Sequence, residues 1–463
     1  MKRSLFLLFG CFVAVLCVQA QDNNEKPVTL TFQEAIKIGL KSNVILNQQK
    51  NILYSRHVAK TAGIAAFTPN IFAQGQVFTN TGQQPDPENG DLKNLTVTNA
   101  SGSLNANLIV FNGFSRLNTM WANNEFFLSQ TSYVKRAEQD AVFTITNQYL
   151  QVLLDQELLK IAEENFVLQN TILEQITENV NLGARPAADL YNQDAQAKNM
   201  ELTALRAKVT LETDKMLLAQ TLQLDPASPF EVALPEDGEE TTYTLDEDLN
   251  ALIATALASR EDLKQYNYQM DANKHLYRAA FGSYLPTITA FGNYGSNYYS
   301  SLRQAPLSDS PGSPTYGKFM NQFTSIFPNT TYGLNFNIPL YNRFLTKSNR
   351  VVAKVSYENS KLLYDNLEKT IRLDVKRAYN NYKTAVQALA ASAVQMQSGE
   401  LALQVQKESY ELGVANQVTL ATANQVYVQA AASRAQAQVT MVFQKILLEY
   451  AMGTLKPESY IAP

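Results

Sequence analysis

Apolar and polar residues alternate with a period of two at Leu104, Ala106, Leu108 and Val110 against Asn105 and Asn107. The pattern returns at Tyr332, Leu334, Phe336, Ile338 and Leu340 against Gly333, Asn335 and Asn337. Such a period belongs to strands with one apolar and one polar face. Each strand runs through a matched turn, Phe111-Asn112-Gly113-Phe114 or Tyr341-Asn342-Arg343-Phe344, directly into a long helical stretch. The two copies stand 230 residues apart throughout, so the chain is read as a duplication whose halves complete each other.

The helical stretches set the scale. Ser115 to Leu182 holds neither Gly nor Pro, and Gly399 alone interrupts Leu345 to Leu412. A helix of about 68 residues extends roughly 100 Å, far beyond the core of a compact domain, and such length points to coiled coils or helical repeats. Each rod ends at a Leu-Gly pair, Leu182-Gly183 and Leu412-Gly413, again 230 apart. Glycine there closes a helix in the left-handed conformation and turns the chain.

Upstream, Thr31-Phe32-Gln33-Glu34 reads as a capping box opening a helix to about Ala62, which Pro69 stops. A counterpart from about Leu245 to Ala280 stops before Pro286, 217 residues on from Pro69. The difference from 230 leaves 13 extra residues between the strands of the second half. The inter-strand segments Asp86–Gly90 and Ser308–Tyr316 are rich in Pro, Gly, Asp, Asn and Ser and read as loops.

The domain organisation expected is a signal peptide at 1–20, a first repeat at 21–225, a linker at 226–244, a second repeat at 245–453 and a loose tail at 454–463. The first repeat carries strands at about 69–79 and 101–112 and helices at about 114–182 and 187–224. The second carries strands at about 286–298 and 331–341 and helices at about 344–412 and 418–452.

Composition adds a compartment. Lys2 and Arg3, an apolar run from Leu5 to Val18, and Val18-Gln19-Ala20 form a secretory leader pattern. The run is shorter than the ~20 apolar residues that span a bilayer as a helix. Cys11 and Cys17, the two cysteines, fall inside it, so the mature chain is expected to have no thiol or disulfide. Lipid attachment at Cys11 is disfavoured by the more apolar stretch that follows it. Losing Lys2 and Arg3 leaves 36 basic against 42 acidic residues, a formal charge of −6, and no basic patch recommends nucleic acid. His57 and His275 are isolated, and no phosphate loop, nucleophile elbow or metal-ligand spacing appears; no enzyme and no cofactor are expected.

Between Phe281 and Phe344, Phe and Tyr occur 14 times, among them Tyr294, Tyr298, Tyr299, Phe323 and Phe327. Aromatic, period-two hairpins with polar loops resemble those of outer-membrane barrels, and one hairpin alone reads equally as an ordinary soluble sheet; the long helices shift the balance to the barrel. Four strands cannot close a barrel, and open edges are not tolerated in lipid. Several copies must then share one barrel, with a tube of long antiparallel helices continuing it. Asn105, Asn107, Asn335 and Asn337 supply a polar lumen, while Leu104, Leu108, Leu334, Phe336, Ile338 and Leu340 meet lipid.

The duplicated strand-to-helix unit, the Pro69 and Pro286 turns and the two Leu-Gly tips resemble the TolC family of outer-membrane efflux proteins over roughly Leu30 to Gly453. That resemblance implies a mixed α and β membrane protein built as a homotrimer. Four strands per chain would contribute to a 12-stranded β-barrel, continued by a long periplasmic α-helical barrel. It implies the exit duct of a tripartite efflux pump or type I secretion system. The partners would be a periplasmic adaptor, an inner-membrane RND or ABC transporter and outer-membrane lipid.

By position, Gly183, Arg185, Asp189 and Leu190 belong to one periplasmic tip and Tyr410, Gly413, Thr419 and Leu420 to the other, where the family meets its adaptor and closes at rest. Ala415, Thr419 and Thr422 stand where some relatives carry gate charges on the second tip, so a charge-locked gate there does not carry over. Pro69, Pro286, Pro339, Phe114 and Phe344 mark the barrel-to-tunnel junction, with Pro339 expected to remove one amide from the ladder near the strand's end. A periplasmic coiled-coil structural or adaptor protein is the alternative; it accounts for the helices and leaves the amphipathic hairpins unexplained. A single-chain porin requires eight or more strands, and four are read.

Overall fold

The computed structural model describes residues 28–85, 90–225, 230–233, 248–303, 305, 307–308 and 312–457. Its first half runs β1 (Val28–Leu30), α1 (Phe32–Ser42), α2 (Val44–Ala65), β2 (Asn70–Pro85), β3 (Leu92–Asn112), α3 (Ser115–Asn181) and α4 (Ala187–Leu222). The second half runs β4 (Phe230–Val232), α5 (Leu249–Ser259), α6 (Glu261–Gly282), β5 (Thr287–Tyr299), a short α7 (Phe319–Asn321), β6 (Asn329–Asn337), α8 (Leu345–Glu411) and α9 (Gln417–Met452). The helices pair by length: α1 and α5 have 11 residues, α2 and α6 have 22, α3 and α8 have 67, and α4 and α9 have 36. No helix among the described residues is long and apolar enough to cross a membrane.

Thr31 caps α1 as read from sequence: its hydroxyl accepts from the Glu34 amide and Glu34 reaches back to the Thr31 amide at 3.0 Å. Each opening helix, however, is two helices. Asn43 (ψ 117°) ends α1 and starts α2, its side chain accepting from the Leu46 amide at 2.9 Å. Arg260 (ψ 120°) breaks α5 from α6 at the matching place, without a side-chain cap. Neither break carries a proline or glycine to mark it in the sequence.

The linker and tail also differ from expectation. Linker residues Phe230–Val232 form β4, which pairs in parallel with β1, and the Tyr149 hydroxyl lies 2.6 Å from Ala233 O and 3.1 Å from Leu30 O. Leu455 is 2% exposed in the core, and Gln139 Nε2 donates to its carbonyl at 3.0 Å, so the start of the tail is docked. The leader and residues 458–463 lie outside the described residues.

Strand bounds shift too. β2 and β3 reach Pro85 and Leu92, well past the expected 79 and 101, because the Thr-rich stretch pairs instead of looping. Thr79 and Thr98 hydroxyls meet at 3.0 Å, and Thr81 and Thr96 at 3.1 Å. β6 ends at Asn337, so Ile338, Pro339 and Leu340 lie beyond the ladder, and Pro339 removes no ladder amide.

All four long strands form one antiparallel sheet in the order β2-β3-β5-β6, with β2 and β6 at open edges. Leu104 pairs with Tyr294, and Ala290 with Leu334. This apolar face is exposed: Leu104 by 50%, Tyr294 by 58% and Leu334 by 57%. On the other face Asn293 Nδ2 donates to Asn105 Oδ1 at 2.6 Å.

Two cores flank the long helices where the repeats meet. Ile36, Val142, Ile145, Tyr149, Leu218 and Leu222 build one, and Leu252, Ile371, Val375, Tyr382 and Met441 build the other. α6 lies between α3 and α8 and packs on both, whereas α2 packs on α3.

Candidate functional site

The far ends of the two helical hairpins hold every residue placed at the tips by sequence. α3 ends in a pair of backbone bonds, Gly183 N–H to Val180 O at 2.9 Å and Ala184 N–H to Asn179 O at 2.9 Å. α8 repeats it through Gly413 to Tyr410 O at 3.1 Å and Val414 to Ser409 O at 2.9 Å. Gly183 and Gly413 have φ of 73° and 76°, which an L side chain adopts only with strain. The hairpins restart differently. Pro186 precedes α4, while the Asn416 side chain caps α9 by accepting from the Thr419 amide at 2.9 Å.

Arg185 joins the two tips. Its guanidinium sits 4.5 Å from the ring centre of Tyr410 at the end of α8, and its Nη1 is 3.9 Å from Asp189 Oδ2 within its own hairpin. The Tyr410 hydroxyl is buried with no hydrogen-bond partner among the described residues. Burial pushes that phenol up, and the Arg185 charge offsets part of the rise. Leu420 is buried at 5%, Leu190 is half-buried and Thr419 is exposed.

One level inward, amides bridge the hairpins. Gln193 Nε2 donates to Gln169 O and Oε1 at 3.0 and 2.9 Å, and Gln417 Nε2 donates to Gln193 Oε1 at 2.8 Å. Asn424 Nδ2 donates to Asn165 Oδ1 at 2.7 Å. Sequence reasoning missed these residues, since Gln and Asn on a long polar helix carry no mark of burial. Beside the ladder a groove of about 310 Å³ runs between the hairpins, lined in part by Gln193, Lys407, Tyr410, Gln417 and Leu420. At its outer end Leu182, Leu412, Val414 and Val418 are exposed by 72–82%. An apolar rim thus meets a groove lined by both apolar and amide side chains. No cluster of metal-binding side chains is present among the described residues.

At the opposite end the junction residues are placed as pairs. Phe114 and Phe344 precede α3 and α8 with φ of 62° and 61° and give no side-chain cap. Asn112 Oδ1 accepts from the Arg116 amide at 3.1 Å instead. Pro69 and Pro286 stand immediately before β2 and β5.

Residues 252–454 match the family model described as outer membrane efflux protein. The outer membrane protein TolC of Salmonella enteritidis is 21% identical over 325 residues, 70% of this chain. That alignment spans 63% of the relative's own length. The outer membrane efflux protein BepC of Brucella suis is 21% identical over 364 residues, 77% of this chain and 73% of the relative. Among solved structures, the Campylobacter jejuni CmeC outer membrane channel superposes with a TM-score of 0.79 at 15% identity, covering 93% of this chain and 88% of that one. The open state of the Neisseria gonorrhoeae MtrE outer membrane channel gives 0.74 at 16% identity, over 91% and 88%.

Proposed function

We propose that this chain, whose residues 252–454 match the outer membrane efflux protein model, assembles in three copies that close a 12-stranded barrel in the outer membrane and continue it as a periplasmic helical tunnel. The tunnel is the exit duct of a tripartite efflux pump or type I secretion system, conducting passively and gated at the helix tips. The observation that carries this reading is a four-stranded sheet with two unpaired edges and an exposed apolar face. Neither is stable in water or in lipid unless copies pair edge to edge and lipid covers the outside.

The duplication supports the joining of copies. α6 fills the space between α3 and α8, while its counterpart α2 packs on α3 and leaves its other flank open. Apolar residues crowd that flank and the free side of α8: Ile45, Ile52 and Val58 on one, Val351, Val355 and Leu362 on the other, each at least 42% exposed. α2 of a second copy fits α8 as α6 fits α3.

Gly183, Arg185, Asp189, Leu190, Tyr410, Gly413, Thr419 and Leu420 form the entrance, and the groove beside them receives a helical hairpin of a periplasmic adaptor. An RND or ABC transporter of the inner membrane supplies the cargo. Extraction and planar-bilayer recording test the reading. A detergent-dependent trimer that conducts supports it, and a mature chain that is soluble and monomeric without detergent sinks it.

A further inference from the structure

We propose that the folded segment between β5 and β6 is a lipid-seated pad, with Phe319 and Met320 in the outer leaflet and Lys318 and Arg303 at lipid phosphates. The proposal rests on the barrel reading above. It starts from an edge problem. β6 begins pairing at Asn329 opposite Gly295, which leaves the end of β5 without a strand on that side. The Gln322 amide takes the strand's place: its Oε1 accepts from the Tyr299 amide at 3.0 Å and its Nε2 donates to Tyr299 O at 3.2 Å and Gly317 O at 2.9 Å. Gln322 is 0% exposed, and a buried amide with every bond made fixes one geometry. Backbone bonds from Tyr316 to Ala305 and from Gly317 to Arg303 knit the base, and Thr98 N–H donates to Ser300 Oγ at 2.8 Å. The segment is built, and its direction is therefore informative.

That direction is outward. Gly102 and Tyr298 lie on the same face of the sheet as Leu104 and Tyr294, two residues from Leu104 on one strand and four from Tyr294 on the other. Phe319 meets Tyr298 edge-on at 5.3 Å and stacks on Phe323 at 5.0 Å. The Phe323 ring lies over Gly102, where a Cβ would stand 2.8 Å from Cζ. Phe327 meets Tyr299 on the far side with Tyr316 stacked on it, so the segment straddles the strand.

The result continues the lipid-facing column upward. Phe319 is 42% and Met320 64% exposed, beside the exposed side chains of Lys318 and Arg303. An apolar tip with two adjoining cations matches the boundary where acyl chains meet anionic headgroups. Water alone gives no reason to hold Phe319 and Met320 out on a rigid base.

Spin labels on the full chain in phosphatidylcholine vesicles, with and without phosphatidylglycerol, test the pad. Labels replace Met320 (Met320→Cys), Leu334 (Leu334→Cys) and Thr315 (Thr315→Cys), with Cys11 and Cys17 removed. Oxygen, which concentrates in lipid, and a nickel chelate, which stays in water, compete for each label. The expected oxygen-to-nickel ratio at 320 is several-fold above that at 315 and close to that at 334. A water-like 320 beside a lipid-like 334 overturns the pad and spares the barrel. Water-like values at both overturn the barrel reading and the pad with it. Lys318→Glu is expected to lower the ratio at 320 in anionic vesicles alone, and an unchanged ratio removes the phosphate contact from the proposal.

Discussion

Gly113 and Gly282 meet backbone to backbone where the first strand-to-helix turn passes the end of α6. A Cβ on Gly113 would lie 2.2 Å from Gly282 O, and a Cβ on Gly282 would lie 2.4 Å from Gly113 O. Gly113 also holds a φ of 65°. The contact welds the two repeats at the base of the sheet. Gly113→Ala adds left-handed strain to the clash and is expected to cost about 2–4 kcal/mol, with Gly282→Ala somewhat less. Thermal unfolding followed by helical circular dichroism checks this, and wild-type melting of both variants removes the weld.

The repeat offsets turn the proposed trimer into a register. Ser129 of α3 donates to Gln265 O of α6 at 3.1 Å and is buried. Adding 230 to the first position and subtracting 217 from the second gives Asn359 and Gln48, both exposed in the single chain. The double variant Gln48→Cys with Asn359→Cys is expected to form covalent trimers under a short thiol cross-linker, and each single variant none. Cross-linking that stays within one chain, or is absent, breaks the register.

Asp155 gives a pH dependence. It is 3% exposed on α3, with Oδ1 accepting from Gln151 at 3.1 Å and Oδ2 lacking a partner among the described residues. Burial first, then the neighbouring Asp214 carboxyl, push its carboxyl from 3.8 up to about 7. A raised acid favours the folded state while protonated. Its contribution is full below 3.8 and is lost as the pH rises through about 7. Asp155→Asn is expected to flatten the fall in melting temperature between pH about 4 and about 8. An equal fall in variant and wild type counts against this assignment.

Arg185 carries the contact between the tips. Its stacking on Tyr410 at 4.5 Å is half exposed, and a cation–π contact of that kind stabilises by about 0.5–1 kcal/mol. Arg185→Ala is expected to raise the open fraction of the channel up to about fivefold, since 1.4 kcal/mol corresponds to tenfold. Arg185→Lys should recover part of the closure. Single-channel recording decides, and an unchanged open fraction in Arg185→Ala removes Arg185 from the proposed gate.

The sequence alone determined the duplication, the four strands, the long helices and their glycine tips, because each depends on a local period or a turn residue. The 230-residue spacing joined Phe114 to Phe344 and Gly183 to Gly413 without any coordinates. It also led to the family resemblance. What it could not determine was non-local. The breaks at Asn43 and Arg260 stand at residues that are neither Gly nor Pro and so carry no breaker signal. The β1–β4 pair is made by residues about 200 apart in three-residue strands too short to signal. Gln169, Gln193 and Gln417 read as solvated helix faces until the hairpins are laid side by side, when burial forces their amides into one ladder. The path of the segment after β5 was likewise decided by tertiary structure: Gln322 finds the free edge of the strand, and only then does Phe323 reach Gly102.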